Sequence, residues 1–198
     1  MRVGFDSDGV LDNFGEGVRE TLEVLNLGHL WKSGPTKKSF WNWYEDWGWT
    51  YEQFKQVVDY GVDAGIIFSG HWRGGAVEAV NRVKAMGHEV IILTDRAFGT
   101  NPLNSRRNTI KAFNDSGMEI DEIHFTADKT SVPVDTMVED KLSNYDALVD
   151  AGVPTWLIER AWNEVEGGDA RRRICCVTCY ADAIEGVTAQ GYADLQIV

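Results

Sequence analysis

Two aspartates near the amino terminus are the residues of this sequence best placed to do chemistry. Asp6 and Asp8 follow a short apolar run, Val3 to Phe5, and Gly9 comes directly after them. The apolar run is typical of a buried strand, and the glycine indicates that the chain leaves the sheet there. Ligands bind at the carboxyl ends of strands in open α/β sheets, so both carboxylates are candidates for a site. The alternative is that they only begin a solvated turn, as aspartate commonly does.

Polar side chains also follow three later segments that we predict to be strands. Helical segments separate these strands, and the alternation predicts an α/β fold with a doubly wound, mainly parallel sheet. Because the carboxyl ends of parallel strands lie along one edge of a sheet, we expect these polar residues to meet. They are Thr94 and Asp95 after residues 89–93, Lys129 after residues 120–125, and Glu139 and Asp140 after residues 134–138.

The converging residue types are those that hydrolysis of a phosphate monoester requires. A hard divalent cation such as Mg²⁺ would offset the charge of the phosphate, and Asp6 and Asp140 would bind it from separate strands. Asp6 would attack phosphorus and form an aspartyl-phosphate. Asp8 would protonate the leaving oxygen and then accept a proton from the hydrolytic water. The ammonium of Lys129 and the hydroxyl of Thr94 would stabilise the phosphoryl oxygens.

The order of these residues resembles the four sequence motifs of the haloacid dehalogenase-like (HAD) phosphatase superfamily. The resemblance covers most of the chain and implies a Rossmann-like core, a Mg²⁺ cofactor and a small-molecule phosphomonoester as substrate. It also implies that the backbone carbonyl of Asp8 is a further metal ligand. The matching residues, in motif order, are Asp6 to Leu11, Thr94, Lys129, and Glu139 with Asp140.

Within this superfamily the sequence is most similar to the 5'(3')-deoxyribonucleotidases and their bacterial and phage relatives. The similarity implies a nucleoside monophosphate as substrate, contacted by aromatic side chains. Packing of the same rings in a hydrophobic core is the alternative. The matching features are Phe14 after the first motif, the pair Phe40-Trp41 in the family's cap, and the segment Asp128-Lys129-Thr130.

Two positions depart from the nucleotidase pattern. Glu139 replaces the first aspartate of the fourth motif, so we expect its longer side chain to act on metal-bound water rather than to bind the metal directly. Asp95 stands where the nucleotidases carry a serine that helps to hold phosphate. A carboxylate is unfavourable there unless it points away or pairs with a cation such as Arg96.

A helical and aromatic segment separates the first predicted strand from the rest of the sheet. Residues 15–70 contain five of the eight tryptophans and lack the alternating pattern of strands. The sequence Thr50 to Gln53 has the form of a capping box, which predicts the start of a helix. We therefore predict a small helical cap over residues 15–70 and a catalytic core made of residues 1–14 and 71–198.

Composition limits the kinds of partner that this chain can bind. A length of 198 residues with 43% hydrophobic residues fits one core domain with a modest insertion. The net charge of -12 disfavours binding to a nucleic-acid polymer or to an anionic membrane. Since no apolar segment approaches the length of a membrane span, the sequence predicts a soluble, cytoplasmic enzyme. The sequence is also compatible with a homodimer.

The three cysteines lie together near the carboxyl terminus. Cys175, Cys176 and Cys179 have no second cluster of metal-ligating residues that would complete a four-ligand zinc site. The apolar run over residues 174–177 is typical of a strand. We therefore predict structural thiols rather than a metal or redox site.

Two other functions stay open at this point. A phosphatase for another small phosphorylated metabolite would use the same catalytic residues beneath a different cap. A non-catalytic protein that binds a phosphorylated ligand would keep only the fold. The complete set of Asp6, Asp8, Lys129 and Asp140 argues against this non-catalytic function.

Overall fold

The computed structural model of the chain describes residues 1–31, 40–165 and 168–195. Its strands are β1 (Arg2–Asp6), β2 (Glu89–Thr94), β3 (Glu122–Phe125), β4 (Thr136–Glu139), β5 (Thr155–Ile158) and β6 (Arg173–Ile174). They form one sheet in the order β3-β2-β1-β4-β5-β6, and all neighbouring strands run parallel. This is the strand order of a doubly wound sheet of the Rossmann type, so the predicted α/β fold class is confirmed.

The described residues also form six α-helices and several short 3-10 helices. The α-helices are α1 (Phe14–Val24), α2 (Tyr51–Asp63), α3 (Ala76–Ala85), α4 (Pro102–Ser116), α5 (Leu142–Asp150) and α6 (Val177–Leu195). The 3-10 helices cover Gly28–Leu30, Phe40–Trp47, Lys129–Ser131 and Ala161–Asn163. Among the residues described, no helix combines the length and the apolar character that crossing a membrane requires.

Strand residues alternate between two hydrophobic clusters, one on each face of the sheet. On β2, Val90 and Ile92 belong to one cluster, whereas Ile91 and Leu93 belong to the other. Residues of α3 and α6 complete the first cluster, and Leu148 of α5 contributes to the second. Because both faces are covered, strands such as β2 are continuous apolar runs rather than alternating ones.

A third hydrophobic cluster, the α1–α2 cluster, lies in the segment that connects β1 to α3. It contains Leu22 of α1, Phe54 and Val58 of α2, and further apolar side chains from residues 14–68. A segment with a hydrophobic core of its own has what a separate cap requires. The division into a cap over residues 15–70 and a catalytic core stays a prediction.

The region around the cysteines differs from the predicted strand over residues 174–177. The strand β6 ends at Ile174, and Val177 is already the first residue of α6. Cys175 and Cys176 therefore lie in the turn between the two elements. The buried residues of α6 recur at helical spacing, a pattern that is typical of a helix with one face in the core. They include Val177, Tyr180 and Ile184.

The capping box at the start of α2 gives a test of local stability. The Thr50 side chain accepts a hydrogen bond from Gln53 N, and the Gln53 side chain accepts one from Thr50 N. Thr50→Ala removes the first of these bonds, so we expect the free energy of unfolding to fall by about 1 kcal/mol, measured by urea denaturation. Thr50→Ser keeps the hydroxyl and serves as the control. Equal losses in both variants would contradict the capping role.

Candidate active site

The carboxyl ends of β1 and β4 form the topological switch point of the sheet. The strands that follow β1 extend the sheet on one side as far as β3, and β4 starts the other side. Such a reversal leaves a crevice in which ligands bind. Asp6 ends β1, and Glu139 ends β4 with Asp140 directly after it. Carboxylate oxygens of these three residues lie within 4.8 Å of one another, so the structure brings the predicted acidic residues together at the crevice.

Lys129 is buried between two of these carboxylates. Its Nζ atom lies 2.7 Å from Asp6 Oδ1 and 2.6 Å from Glu139 Oε2, and the residue is only 6% exposed. Burial opposes a charge on Lys129, but the two carboxylates outweigh it and raise the pKa of the ammonium, which therefore stays charged. Asp128 accepts a hydrogen bond from Thr130 N and so caps the short helix that carries Lys129.

Glu139 and Asp140 differ in the oxygen atoms that remain available. Glu139 Oε2 accepts a hydrogen bond from Lys129, and Oε1 accepts from the backbone N–H groups of Asp140 and Lys141 at 3.1 and 3.0 Å. Asp140 Oδ2 accepts from Trp162 Nε1 at 3.0 Å. Asp140 Oδ1, in contrast, is buried and has no hydrogen-bond partner in the described part of the chain. A buried polar atom of this kind costs about 1–3 kcal/mol unless a ligand satisfies it.

The acidic cluster of Asp6, Glu139 and Asp140 fits a hard divalent cation. The donor atoms are all oxygens, as Mg²⁺ prefers, and Asp140 Oδ1 has lone pairs that no donor among the described residues uses. Burial, reinforced by the neighbouring carboxylates, raises the pKa of Asp6 to about 8 and that of Asp140 well above its usual range. Carboxylates held this close are unfavourable unless protons or a cation neutralise them. Asp140 and Asp6 are therefore the residues that would hold the cation.

Gly9 allows the loop after β1 to approach Asp140. Its φ angle is +77°, and a Cβ atom at this position would lie 1.8 Å from Asp140 Oδ2. Glycine is the residue that adopts this backbone conformation readily and leaves room for the carboxylate. Gly9 N donates to Asp12 O at 2.9 Å, and Arg160 Nε donates to Gly9 O at 2.6 Å. These contacts hold the loop that carries Asp8.

Asp8 forms a bidentate ion pair with Arg96. The Arg96 Nη1 atom lies 2.6 Å from Asp8 Oδ2, and Nη2 lies 3.1 Å from Oδ1. Arg96 is only 3% exposed, and its Nη1 atom also donates to Thr94 Oγ1 at 2.6 Å. Its guanidinium group lies 3.9 Å from the centre of the Phe68 ring. Arg96 thus links the predicted acid/base Asp8 to the predicted phosphate-binding Thr94, a connection that the sequence motifs did not predict.

Asp95 does not pair with Arg96, which was one of the two arrangements that the sequence left open for this carboxylate. Arg96 contacts only the backbone carbonyl of Asp95, at 2.7 Å, whereas the Asp95 side chain is exposed and lines the neighbouring cavity. Thr94 and Arg96 are two residues apart, and side chains with this spacing project to the same side of an extended chain. Arg96 therefore faces the Asp8 loop with Thr94. A role for Asp95 in substrate binding stays a prediction.

A cavity of about 360 Å³ lies beside the acidic cluster. Asp8 and Asp140 form part of its wall, together with Arg73 and Lys141. The remaining wall is largely aromatic, and its rings are those of Phe14, Tyr44, Tyr51, Phe54, Phe68, Phe98 and Trp162. Such a combination of many apolar surfaces and a few polar groups is typical of sites for small molecules.

Phe14 packs in a hydrophobic cluster and also lines the cavity, and its contact with a substrate stays a prediction. Its ring stacks on Phe68 and Phe98, with ring centres 5.7 and 6.2 Å away, and it packs against the α1–α2 cluster. The same ring lines the cavity. The side chains of Phe40 and Trp41, which were assigned to substrate binding as well, lie outside the part of the chain that the structure describes.

Tyr44 and Tyr51 line the cavity without having been predicted as site residues. Tyr44 stacks on Phe54, with ring centres 4.8 Å apart, and lies 6.2 Å from the Tyr51 ring. The aromatic composition of residues 15–70 was the available signal. Composition shows that rings are present in the segment but not which of them face a cavity.

Comparisons with known proteins give a match at the level of structure. A scan against protein-family models and a search of curated proteins both found no match. A HAD-like hydrolase from Bacteroides fragilis superimposes with a TM-score of 0.60 at 12% identity, over 90% of this chain and 98% of the other. A predicted phosphatase from Clostridium acetobutylicum gives a TM-score of 0.55 at 18% identity, over 93% and 98%.

A third solved structure shares the fold and contains ligands. It is the D,D-heptose 1,7-bisphosphate phosphatase from B. bronchiseptica in complex with magnesium and phosphate, with a TM-score of 0.53 at 15% identity over 93% of this chain and 98% of the other. At such identities the likeness concerns the fold. The chain has the Rossmann-like α/β fold of the haloacid dehalogenase-like hydrolases.

Proposed function

We propose that the protein is a Mg²⁺-dependent phosphatase and that its substrate is a nucleoside monophosphate. The observation that carries the proposal is the convergence of Asp6, Lys129 and Asp140 at the switch point of this fold. These residues supply a carboxylate nucleophile, a fixed positive charge and an unsatisfied metal ligand within one crevice. Solved phosphatases with the same fold support the proposal.

Asp6 is the proposed nucleophile. Its Oδ1 atom accepts hydrogen bonds from Lys129 Nζ and from Ser7 N, both at 2.7 Å, so Oδ2 is the oxygen that attacks phosphorus. The new bond to phosphorus forms as the bond to the ester oxygen breaks, and an aspartyl-phosphate results. Bound Mg²⁺, held by Asp6, Asp140 and the backbone carbonyl of Asp8, would offset the negative charge of the phosphate.

Asp8 is the proposed general acid and base. It lies at the cavity wall with its side chain 27% exposed, so a leaving group in the cavity is within its reach. Asp8 donates a proton to the leaving oxygen and then accepts one from the water that hydrolyses the aspartyl-phosphate. Arg96 holds this carboxylate in one orientation through its two hydrogen bonds.

The aromatic wall of the cavity supports the choice of a nucleotide. A nucleobase is a flat ring system, and stacking on aromatic side chains contributes about 1–3 kcal/mol per base. Phe14 and Tyr44 are rings of this wall on the side of the α1–α2 cluster. A sugar phosphate is the second candidate, since the heptose bisphosphate phosphatase with the same fold acts on such a compound.

A phosphate-release screen over nucleoside monophosphates and sugar phosphates tests the proposed substrate. We expect nucleoside monophosphates to give the higher kcat/KM, because their bases stack on the cavity wall. Asp6→Asn should lower turnover of every substrate by at least about 10³-fold, because an amide does not replace the nucleophile.

The screen separates the two parts of the proposal. Asp115→Asn is the matched control, because Asp115 is an exposed residue of α4 outside the cavity, and its activity should equal that of the wild type. A clearly higher kcat/KM for sugar phosphates would reject the nucleotide as the substrate, but it would still support the proposed phosphatase activity. Unchanged turnover in Asp6→Asn would reject Asp6 as nucleophile.

Removal of divalent metal should abolish activity, and Mg²⁺ should restore it. Mg²⁺ should also raise the melting temperature, because a ligand that binds only the folded state stabilises it. Asp140→Asn removes one carboxylate from the acidic cluster and so lowers its affinity for Mg²⁺. The Mg²⁺-dependent rise in melting temperature should therefore be smaller in this variant. Full activity after treatment with a chelator would contradict the role of the metal.

Arg96→Lys tests the positioning of Asp8. Lysine keeps the charge but loses the bidentate geometry, so we expect kcat to fall by about 10²-fold while KM changes little. The loss should be smaller for nitrophenyl phosphate, because its leaving group needs little protonation. Arg106→Lys on the exposed part of α4 is the control, and melting curves establish that both variants are folded. An unchanged kcat in Arg96→Lys would contradict the positioning role.

A further inference from the structure

The three cysteines form one cluster where β6 turns into α6, outside the cavity of the candidate active site. Cys179 Sγ lies 3.0 Å from Cys175 Sγ and 3.0 Å from Cys176 Sγ, and the sulfur atoms of Cys175 and Cys176 are 3.7 Å apart. Cys175 is exposed, and the other two are half-buried. None of the three residues is fully buried, as structural cysteines often are, and each is at least partly open to solvent.

Cys176 and Cys179 form a Cys-x-x-Cys pair across the first turn of α6. Cys176 directly precedes Val177, the first residue of the helix, and Cys179 is the third helical residue. The positive end of the helix dipole at this position stabilises a thiolate. Hydrogen bonds from the Cys179 thiol and the Thr178 hydroxyl lower the pKa of the Cys176 thiol to about 7, whereas the pKa of Cys179 is raised by its interaction with Cys176.

The Arg160 guanidinium interacts electrostatically with the same thiol. Burial lowers the pKa of the Arg160 guanidinium to about 10, so this group is still charged at neutral pH. A negative charge on Cys176 raises the pKa of Arg160, because the two charges attract each other. Arg160 Nε donates to Gly9 O at 2.6 Å, so the guanidinium group is held in place. A partly exposed thiol at a helix amino terminus, next to a second thiol, is a usual environment of a reactive cysteine.

We propose that Cys176 and Cys179 form a thiol–disulfide site that reacts with low-molecular-weight disulfides such as oxidised glutathione. The Cys176 thiolate attacks one sulfur atom of the small disulfide, which releases one thiolate and leaves a mixed disulfide on Cys176. Cys179 then attacks Cys176 Sγ, forms the Cys176–Cys179 bond and releases the second thiolate. The two protons lost by the protein pass to the released thiolates, so the protein dithiol is oxidised as the small disulfide is reduced to two thiols.

The distances favour this reaction over the binding of a metal ion. The sulfur atoms of Cys176 and Cys179 need to approach by about 1 Å to form a bond. Three thiolates around Zn²⁺, each about 2.3 Å from the ion, would stand about 3.8 Å apart, and two of the three pairs here are much closer. No histidine, aspartate or glutamate of the described residues joins the cluster as a fourth ligand.

The test is incubation of the full chain with excess oxidised glutathione near neutral pH, followed by alkylation of free thiols and mass spectrometry. We expect the protein to lose two hydrogen atoms, to retain no glutathione and to be alkylated once, on Cys175. Trypsin leaves the three cysteines in one peptide that begins at Ile174, because no lysine or arginine lies between Cys175 and Cys179. Fragmentation of this peptide then locates the disulfide.

Two variants and a denatured sample sharpen the test. Cys175→Ser is the matched control and should form the same disulfide as the wild type. Cys179→Ser should retain glutathione on Cys176, because the thiol that resolves the mixed disulfide is missing. In urea the preference for Cys176 should disappear, because it depends on the folded helix.

Three results would overturn the proposal. The first is wild-type protein that keeps glutathione without forming a disulfide. The second is a disulfide that includes Cys175. The third is a bound divalent metal ion that blocks the oxidation, which would make the cluster a metal site instead.

Discussion

The ion pairs of Lys129 with Asp6 and Glu139 are the interaction on which the candidate site depends. One buried ammonium joins the loop after β3 to the ends of β1 and β4, so the pairs form only when these segments meet in the observed order. Removal of one partner from such a buried pair typically costs about 3–5 kcal/mol, because the remaining charge is left uncompensated. The same lysine that would stabilise phosphate therefore also fixes the geometry of the acidic residues around it.

One ammonium does not neutralise three carboxylates. Asp6, Glu139 and Asp140 surround the single ammonium of Lys129, and burial together with this excess of negative charge raises the pKa values of Asp6 and Asp140. A divalent cation would remove the excess and would make the crevice favourable for an anion. The whole chain carries a net charge of -12, so long-range attraction cannot bring a phosphate ester to the site. Attraction has to be local, which gives the cation its importance.

The sequence predicted the parts of the site that depend on strand order and failed where side chains of different loops meet. Asp6, Lys129 and Asp140 follow apolar runs of a parallel sheet, and such residues converge whatever the details of the loops. The pairing of Asp8 with Arg96 depends instead on the relative placement of two loops, which no periodicity encodes. Helix α6 was missed because an apolar run as short as residues 174–177 does not distinguish a strand from the start of a helix.

The position of β1 in the sheet explains why the Asp8 loop is fixed from two sides. Neighbours of β1 stand on both of its edges, with β2 on one side and β4 followed by β5 on the other. Arg96 reaches Asp8 from the loop after β2, and Arg160 reaches Gly9 from the loop after β5. A loop at the edge of the sheet would have one such neighbour. Central placement therefore gives the proposed acid/base the preorganisation that positioned catalysis requires, because each contact restrains the loop independently.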